Sequence, residues 1–304
     1  MGILTMSQAA DLYNPAMQAI FNKNLDAREN EYKEFFYLDK TDLYQYQESA
    51  FSGLPAAEIK REGIEVNYQV PVQGYDKTYT QVVYANGFKA TMEIWKFDRF
   101  AQLKKMPKAI ALSVEQSRHV NLFNHFNRAF SGSYTGPDAV ALCSTAHPIT
   151  GAGGTQRNRP STDVDLSYTG VQQAIMDMDI LVNDYGYPLK VTPKKLLVYP
   201  TKKMKALEIL RSVGNPTNAN NVANVVTLSS DLKLVTGHWL SSSTPGYWFL
   251  TGDVQDDCLK VCRAQEAEME SGSDFDTKDL KWTVTFMEAS GWTLWYNVWG
   301  SAGA

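Results

Sequence analysis

The sequence predicts an α+β protein, and three observations carry that reading. An unbroken helical pattern runs from Pro107 to about Ser131, a period-two alternation runs from Ile64 to Val72, and short apolar segments follow the helices in the second half of the chain. Helices first and strands later is the ordering of a segregated layer architecture rather than of strict βαβ repetition. At 304 residues the chain is long enough for one large domain or two ordinary ones.

The first fifty residues mix polar and aromatic side chains. Asn14-Pro15 reads as a helix cap followed by proline at the first helical position. Met17, Ile20, Phe21, Leu25, Arg28, Tyr32, Phe35 and Phe36 then recur at helical spacing. An arm this short has little core of its own, so its stripe is expected to pack on something else, which makes Phe35 and Phe36 candidates for contact with a neighbour.

Ile64, Val66, Tyr68, Val70 and Val72 alternate with Glu65, Asn67, Gln69 and Pro71, which predicts a strand with one apolar face. Gln73 to Lys77, containing Tyr75, reads as a turn, and Tyr79 to Tyr84 as the returning strand; Pro71 is tolerable because both strands of an isolated ribbon are edges. A lone two-stranded hairpin is marginal in water. Tyr68, Val70, Val72, Tyr75, Tyr79 and Tyr84 are therefore expected to rest on another surface, such as a neighbouring subunit.

The pattern from Pro107 to Ser131 puts Ile110, Val114, Leu122, Phe126 and Phe130 on one side and predicts a rod of about 37 Å. Gly132 to Asp163 is rich in Gly, Pro, Ser and Thr and reads as an extended excursion. Thr169 with Gln172 fits a capping box, and Val171, Ile175, Met178, Val182 and Tyr185 form a stripe that Gly186 would close. A buried strand at Leu196 to Tyr199 is expected to lead through Pro200 into a helix from Thr201 to Val213. Strands are expected at Leu232 to Val235, Tyr247 to Leu250, Leu259 to Arg263 and Leu280 to Met287, the last two separated by the acidic turn Gly272 to Asp276.

Composition narrows the function classes. The net charge is −4, and Lys and Arg are scattered, so the basic stripe of a nucleic-acid reader is missing. Cys143, Cys258 and Cys262 are an odd, sparse set that gives no disulfide framework and points to a reducing compartment. The N-terminal residues have neither the basic flank nor the apolar run of a signal or membrane anchor. Seven tryptophans, with Trp292, Trp295 and Trp299 near the end, offer core packing or contact area.

Chemical motifs are weak. Cys143 and His147 contain the elements of a thiol nucleophile and its base, but chain-adjacent Cys and His seldom form such a pair. Cys258 and Cys262 fall on one face of an expected strand, and His119, His125, His147 and His238 are dispersed, so no metal-ligand spacing emerges. Gly151 to Thr155 lacks the lysine of a phosphate loop, and the carboxylates of Glu270 to Asp279 miss the spacing of a calcium loop. The expectation is a protein without catalytic residues, metal or cofactor.

The order of parts resembles the major capsid proteins of tailed bacteriophages, the Hong Kong 97-type or Johnson fold. Ala141-Leu142-Cys143-Ser144-Thr145-Ala146-His147-Pro148, followed by Gly153-Gly154-Thr155-Gln156 and Asn158, is similar to a segment of one branch of that family. Asn124 to Phe130, Asp274-Phe275-Asp276-Thr277 and the closing Trp299-Gly300-Ser301 support the likeness in the same order. The resemblance implies an N-terminal arm over residues 1–53, an extended hairpin or E-loop over 54–97 that lies on the adjacent subunit, a spine helix of the peripheral domain over 98–135, an axial domain over 136–254 and returning peripheral strands over 255–304. It places Asn215, Asn218 and Asn220 in the axial tip, where they become contact candidates.

The implied function is a shell of hexamers and pentamers around double-stranded DNA, bound without sequence specificity. Assembly in the host cytoplasm and residence in the virion are implied, with a portal, possibly a decoration protein, and no membrane. Because the ordered-looking arm begins almost at Met1, the scaffold is expected to be a separate protein. An encapsulin-type compartment shares the fold and is the nearest alternative; a cysteine hydrolase is the alternative from another class.

Overall fold

Alternation of apolar and polar side chains over Leu280 to Trp292 drives the longest strand pair. Leu280, Trp282, Val284 and Phe286 turn inward while Lys281 and Thr283 face out. The computed structural model describes residues 15, 17–25, 31–51, 54–69, 73–91, 93–94, 105–150, 153–214, 223–229, 231–274, 276–277 and 279–303. Among them, β1 (Tyr37–Lys40), β10 (Leu259–Ser273), β11 (Leu280–Trp292) and β4 (Val82–Ala90) form one four-stranded sheet in the order β1-β10-β11-β4. β10 and β11 are antiparallel from Leu259↔Trp292 to Ser273↔Leu280, with irregularities near Gln265, and β1 runs parallel to β10.

The second sheet has the order β12-β9-β7-β8, from Val298–Ser301, Trp248–Thr251, Lys195–Val198 and Lys233–Thr236. Its members are short and apolar, as strands buried on both faces should be. Trp248, Phe249, Leu250, Leu196, Leu197, Val198 and Trp299 are all almost wholly buried in the main core. At Gly300 a Cβ would come within 2.6 Å of the Phe249 ring and 2.9 Å of Cys143 Sγ, so only glycine fits between them.

Four helices matter for the architecture. α1 covers 17–25, α2 Lys105–Asn127, α3 Tyr168–Asp179 and α4 Lys203–Arg211. α2 is the predicted spine: Ile110, Val114, Leu122 and Phe126 are buried on one side, and Phe130 beyond its end is half-buried. Its 23 residues span about 34 Å. The first half packs with Met17 and Phe21 of α1 on Trp282, Val284 and Phe286; the second half enters the main core beside Phe35 and Phe36. One rod thus ties two cores together.

Several expectations are corrected. The arm stripe is not one helix: α1 is described to residue 25, Tyr32 lies in a short 3-10 turn, Glu31–Glu34, and Phe35 and Phe36 follow that turn into β1. The helix cap of α3 is Ser167, whose Oγ accepts from Gly170 N at 3.1 Å, rather than Thr169. α3 stops at Asp179 instead of reaching Gly186. Gln156 clamps Val182 through its side-chain amide, and Asn183 Oδ1 accepts from the backbone N–H groups of Tyr185 and Tyr187, so side chains capture the groups a helix would have used. Residues 64–69 form no strand, and 73–77 are not a turn; the ribbon is built from β2 (Gln45–Phe51) and β3 (Gln73–Thr80). The strands at 196–199, 232–235 and 247–250 fall within a residue of their expected places, and β10 runs ten residues past Arg263.

Phe126 is fully buried with its ring 5.4 Å from Phe35, 6.0 Å from Phe36 and 5.2 Å from Phe249. Phe126→Ala is expected to cost ~3–5 kcal/mol in chemical denaturation. A loss below ~1 kcal/mol would mean that the arm and spine do not share the core as described.

Candidate assembly surface

β3 and β4 are one extended run that changes partner. Up to Thr80 the run pairs with β2, from Gln45↔Thr80 to Phe51↔Gln73; from Val82 it pairs with β11, from Glu288↔Val82 to Leu280↔Ala90. The switch residue, Gln81, is buried, and its backbone N–H donates to Tyr44 O at 3.0 Å. The β2–β3 ribbon is thereby a branch growing out of the long sheet.

Side chains lock its foot. Thr293 Oγ1 donates to Glu48 Oε2 at 2.9 Å, which leaves the Tyr79 hydroxyl to donate to Thr293 Oγ1, also at 2.9 Å. Lys260 Nζ donates to Glu48 Oε1 at 2.7 Å and lies near the Tyr46 ring. Beyond the ribbon, 54–69 is a loop whose Leu54, Ile59, Ile64, Val66 and Tyr68 are exposed, Ile59 to 94% and Tyr68 to 89%.

The predicted contact residues separate into groups. Tyr68 is on the exposed loop, and Tyr75 is half-buried on β3. Tyr84 is half-buried and stacked on Phe286 at 5.0 Å. Tyr79, Phe35 and Phe36 are corrected: each is at most 3% exposed and belongs to the chain's own packing, because the ribbon foot and the spine provide the surface that the short arm and hairpin lack. Val70, Val72, Asn215, Asn218 and Asn220 lie outside the described residues.

A charge cluster that sequence reading missed crosses from the spine to the sheet. Arg118, 3% exposed, lies 3.5 Å from Glu115, 3.4 Å from Glu266 and 3.4 Å from Glu288; Arg263 lies 3.1 Å from Glu266 and 3.7 Å from Glu288. Burial pushes the Glu288 carboxyl up against the pull of Arg118 and Arg263. Burial also pushes Glu266 up, but Arg263 and Arg118 outweigh it and hold that carboxyl below its usual range. The only signal in the sequence was Glu115 and Arg118 one helical turn apart inside an otherwise apolar side. Arg118→Met would leave Glu115 and Glu288 buried without their shared cation and should cost ~3–5 kcal/mol, whereas Lys281→Met at the exposed Asp274 pair should cost below ~1 kcal/mol, both read by denaturation.

Cys143 and His147 do not form a nucleophile and base. His147 Nδ1–H donates to Asp138 Oδ2 at 2.6 Å, Nε2 meets Asn158 Oδ1 at 3.1 Å, and the ring stacks on Trp295 at 4.0 Å. Asn158 is itself fixed: Nδ2 donates to the carbonyls of Leu142 and Val298, and Oδ1 accepts from Ser144 N. The Ala141 to Asn158 motif is therefore a polar knot that pins the excursion to β12. Cys143 is packed against this knot, and burial pushes its thiol far above the usual range. Thiol reagents at neutral pH should label Cys143 no faster than the protein unfolds; rapid labelling of the native chain would reopen the hydrolase reading. Cys258 and Cys262 are buried as well.

Two carboxylates of the acidic turn, Asp274 and Asp279, are matched to lysines. Lys281 lies 2.7 Å from Asp274 and holds its carboxyl down to about 2, and Lys89 lies 2.8 Å from Asp279. Among the described residues no group of His, Cys, Asp and Glu gathers as metal ligands, and no helix is long and apolar enough to cross a membrane.

A spine helix over a long sheet, a second short-stranded sheet and a projecting ribbon together define the Hong Kong 97-type class of shell proteins. The family model for the phage capsid protein matches residues 74–298, and the chain belongs to that family. It is a capsid shell protein, a structural component of the virion. No curated sequence matches it. Solved structures match in fold at low identity. The capsid of an empty GTA particle gives a TM-score of 0.60 at 6% identity, covering 91% of this chain and 91% of the other. The capsid of the cyanophage P-SCSP1u gives 0.55 at 11%, covering 90% and 88%. A virus-like particle from Pyrococcus furiosus gives 0.52 at 8%, covering 95% and 99%.

Proposed function

We propose that this capsid protein assembles as hexamers and pentamers of an icosahedral shell around double-stranded DNA, with loop 54–69 laid over the adjacent subunit. The observation that carries this reading is the loop itself, which holds five exposed apolar side chains beyond a ribbon locked at its foot, with Ala56 N donating to the Tyr187 hydroxyl at 3.3 Å. A free monomer gains nothing from such a display, while a symmetric assembly buries it once per subunit. The proposed division keeps 1–53 as arm, 54–97 as E-loop, 98–135 as spine, 136–254 as axial domain and 255–304 as returning strands, with the ribbon strand Gln45–Phe51 assigned functionally to the E-loop.

An acidic balance of −4 suits a container whose DNA must move during filling, because a strongly basic lining would hold phosphates. A separate scaffolding protein, a portal and a decoration protein complete the proposal, with assembly in the host cytoplasm. The likeness to the virus-like particle from Pyrococcus furiosus favours one second reading, an encapsulin-type compartment for protein cargo.

Negative-stain microscopy of the chain expressed alone, and again with its scaffold, should show closed shells, rings or curved sheets. Replacing 54–69 by a short Gly-Ser turn should abolish these while leaving the thermal midpoint of the isolated chain within a few degrees. Shells from the shortened chain would remove the loop from the assembly contact. Nucleic acid rather than protein inside shells recovered from infected cells separates the genome container from the cargo compartment.

A further inference from the structure

Two cations near the foot of the ribbon form no ion pair among the described residues; Glu48, the cross-strand partner of Lys77, gives its carboxylate to Lys260 and Thr293. Lys77 of β3 lies across the Trp292 ring, Nζ 5.8 Å from the centroid, and Arg128, just past the end of α2, lies 4.3 Å over the Tyr134 ring. Both line a cavity of about 300 Å³ with Asn121, Asn124, His125 and Ser290. Among the described residues no carboxylate forms an ion pair with either cation. Glu288 lines an adjoining cavity of about 210 Å³ that Lys77 and Asn121 share, but its carboxylate is turned to Arg118 and Arg263.

One further donor is unmatched, while His125 Nε2 and Ser290 Oγ are hydrogen-bonded to each other at 2.9 Å. Asn121 Nδ2 is buried and has no acceptor. At Gly291 a Cβ would come 3.3 Å from Lys77 Cε and 3.1 Å from the Tyr79 ring, so the glycine leaves room for the lysine stem. The local field is positive: burial, then Lys77 and Arg128, push the His125 imidazole down to about 4, and burial lowers the Lys77 ammonium. An anion in the cavity would relieve each of these costs.

We propose that this cavity is an oxyanion site filled by a carboxylate side chain of a neighbouring copy of the chain, an inference that rests on the shell reading. The chain has 33 acidic against 29 basic residues, and the projecting loop exposes Glu58, Glu62 and Glu65. The cavity adjoins the ribbon from which that loop grows. A concave pocket of this size admits one side chain, whereas a duplex backbone calls for a broad basic stripe, which the scattered Lys and Arg do not form.

The unassembled full chain tests the site with acetate against chloride at equal ionic strength. Acetate should raise the thermal midpoint saturably and raise the His125 pKa, read by NMR, above about 4, because a bound anion favours the imidazolium. Lys77→Met and Arg128→Gln should each weaken the acetate response about tenfold. The wild-type titration decides the matter even if a variant fails to fold, and no saturable response overturns the site. In shells reassembled from mixed isotopically light and heavy chains, zero-length carbodiimide coupling should join Lys77 to an Asp or Glu of the other isotope. Coupling confined within one chain overturns the partner, and protection of Lys77 from amine reagents only in DNA-filled shells assigns a phosphate instead. If no shell forms, the shell reading fails, while the acetate titration still decides the site.

Discussion

The exchange of partners at Gln81 is the constraint on which the rest depends. One extended run, Gln73 to Ala90, serves two antiparallel pairings, and the residue between them keeps its backbone N–H bound to Tyr44 O while its side chain is buried. A two-stranded ribbon has no sheet to steady it. Its direction is therefore set at the foot, by the chain of hydrogen bonds from Tyr79 through Thr293 to Glu48 and by the Lys260 ammonium beyond. What the ribbon presents at its far end is fixed by groups packed at its foot.

The spine carries that constraint to the rest of the molecule. α2 packs its early turns on the long sheet and its late turns in the main core, and Arg118 stands between the two. Buried charge of this kind adds little stability over apolar packing, but it has one arrangement in which its charges are matched. Arg118 joined to Glu115 on its own helix and to Glu266 and Glu288 on two strands defines the register of rod against sheet. Sliding by one turn would separate the contacts to Glu266 and Glu288 together.

Much of the fold was legible where a periodic apolar pattern met a long element. The spine, the β10–β11 pair and the short strands at Leu196, Leu234 and Phe249 were readable because burial on one or both faces writes itself into the sequence. β2 was not legible, since Gln45-Tyr46-Gln47-Glu48-Ser49 pairs as a polar edge and draws its stability from Lys260 and Thr293 far along the chain. The alternation at 64–69 misled for the opposite reason: it has a strand's pattern but no partner strand among the described residues. The Ala141 to Asn158 string was recognisable as a motif, yet its role in pinning the excursion through Asn158 appears only when Val298 is brought beside it. For the assembly surface, Tyr79, Phe35 and Phe36 could not be told from exposed aromatics, because sequence spacing gives a face and not what covers it.

Several of the buried polar atoms left without a hydrogen-bond partner among the described residues lie around the ribbon foot. Gln81 Nε2 and Oε1, Asn121 Nδ2, Arg118 Nε and both Glu288 oxygens belong to this region, although Arg118 Nε lies only 3.4 Å from Glu288 Oε2 without the alignment of a bond. Each such group costs about 1–3 kcal/mol when buried. The main core is closed by apolar side chains and satisfied amides such as Asn158 and Asn224, although Thr251 Oγ1 and Asn297 Oδ1 beside it are also without a partner. Part of the hydrogen-bonding capacity that folding leaves unused is thus placed where the projecting element meets the body. At that junction a small movement of the ribbon would change polar contacts of Gln81 and Asn121 while the apolar cores on either side of the spine stay closed.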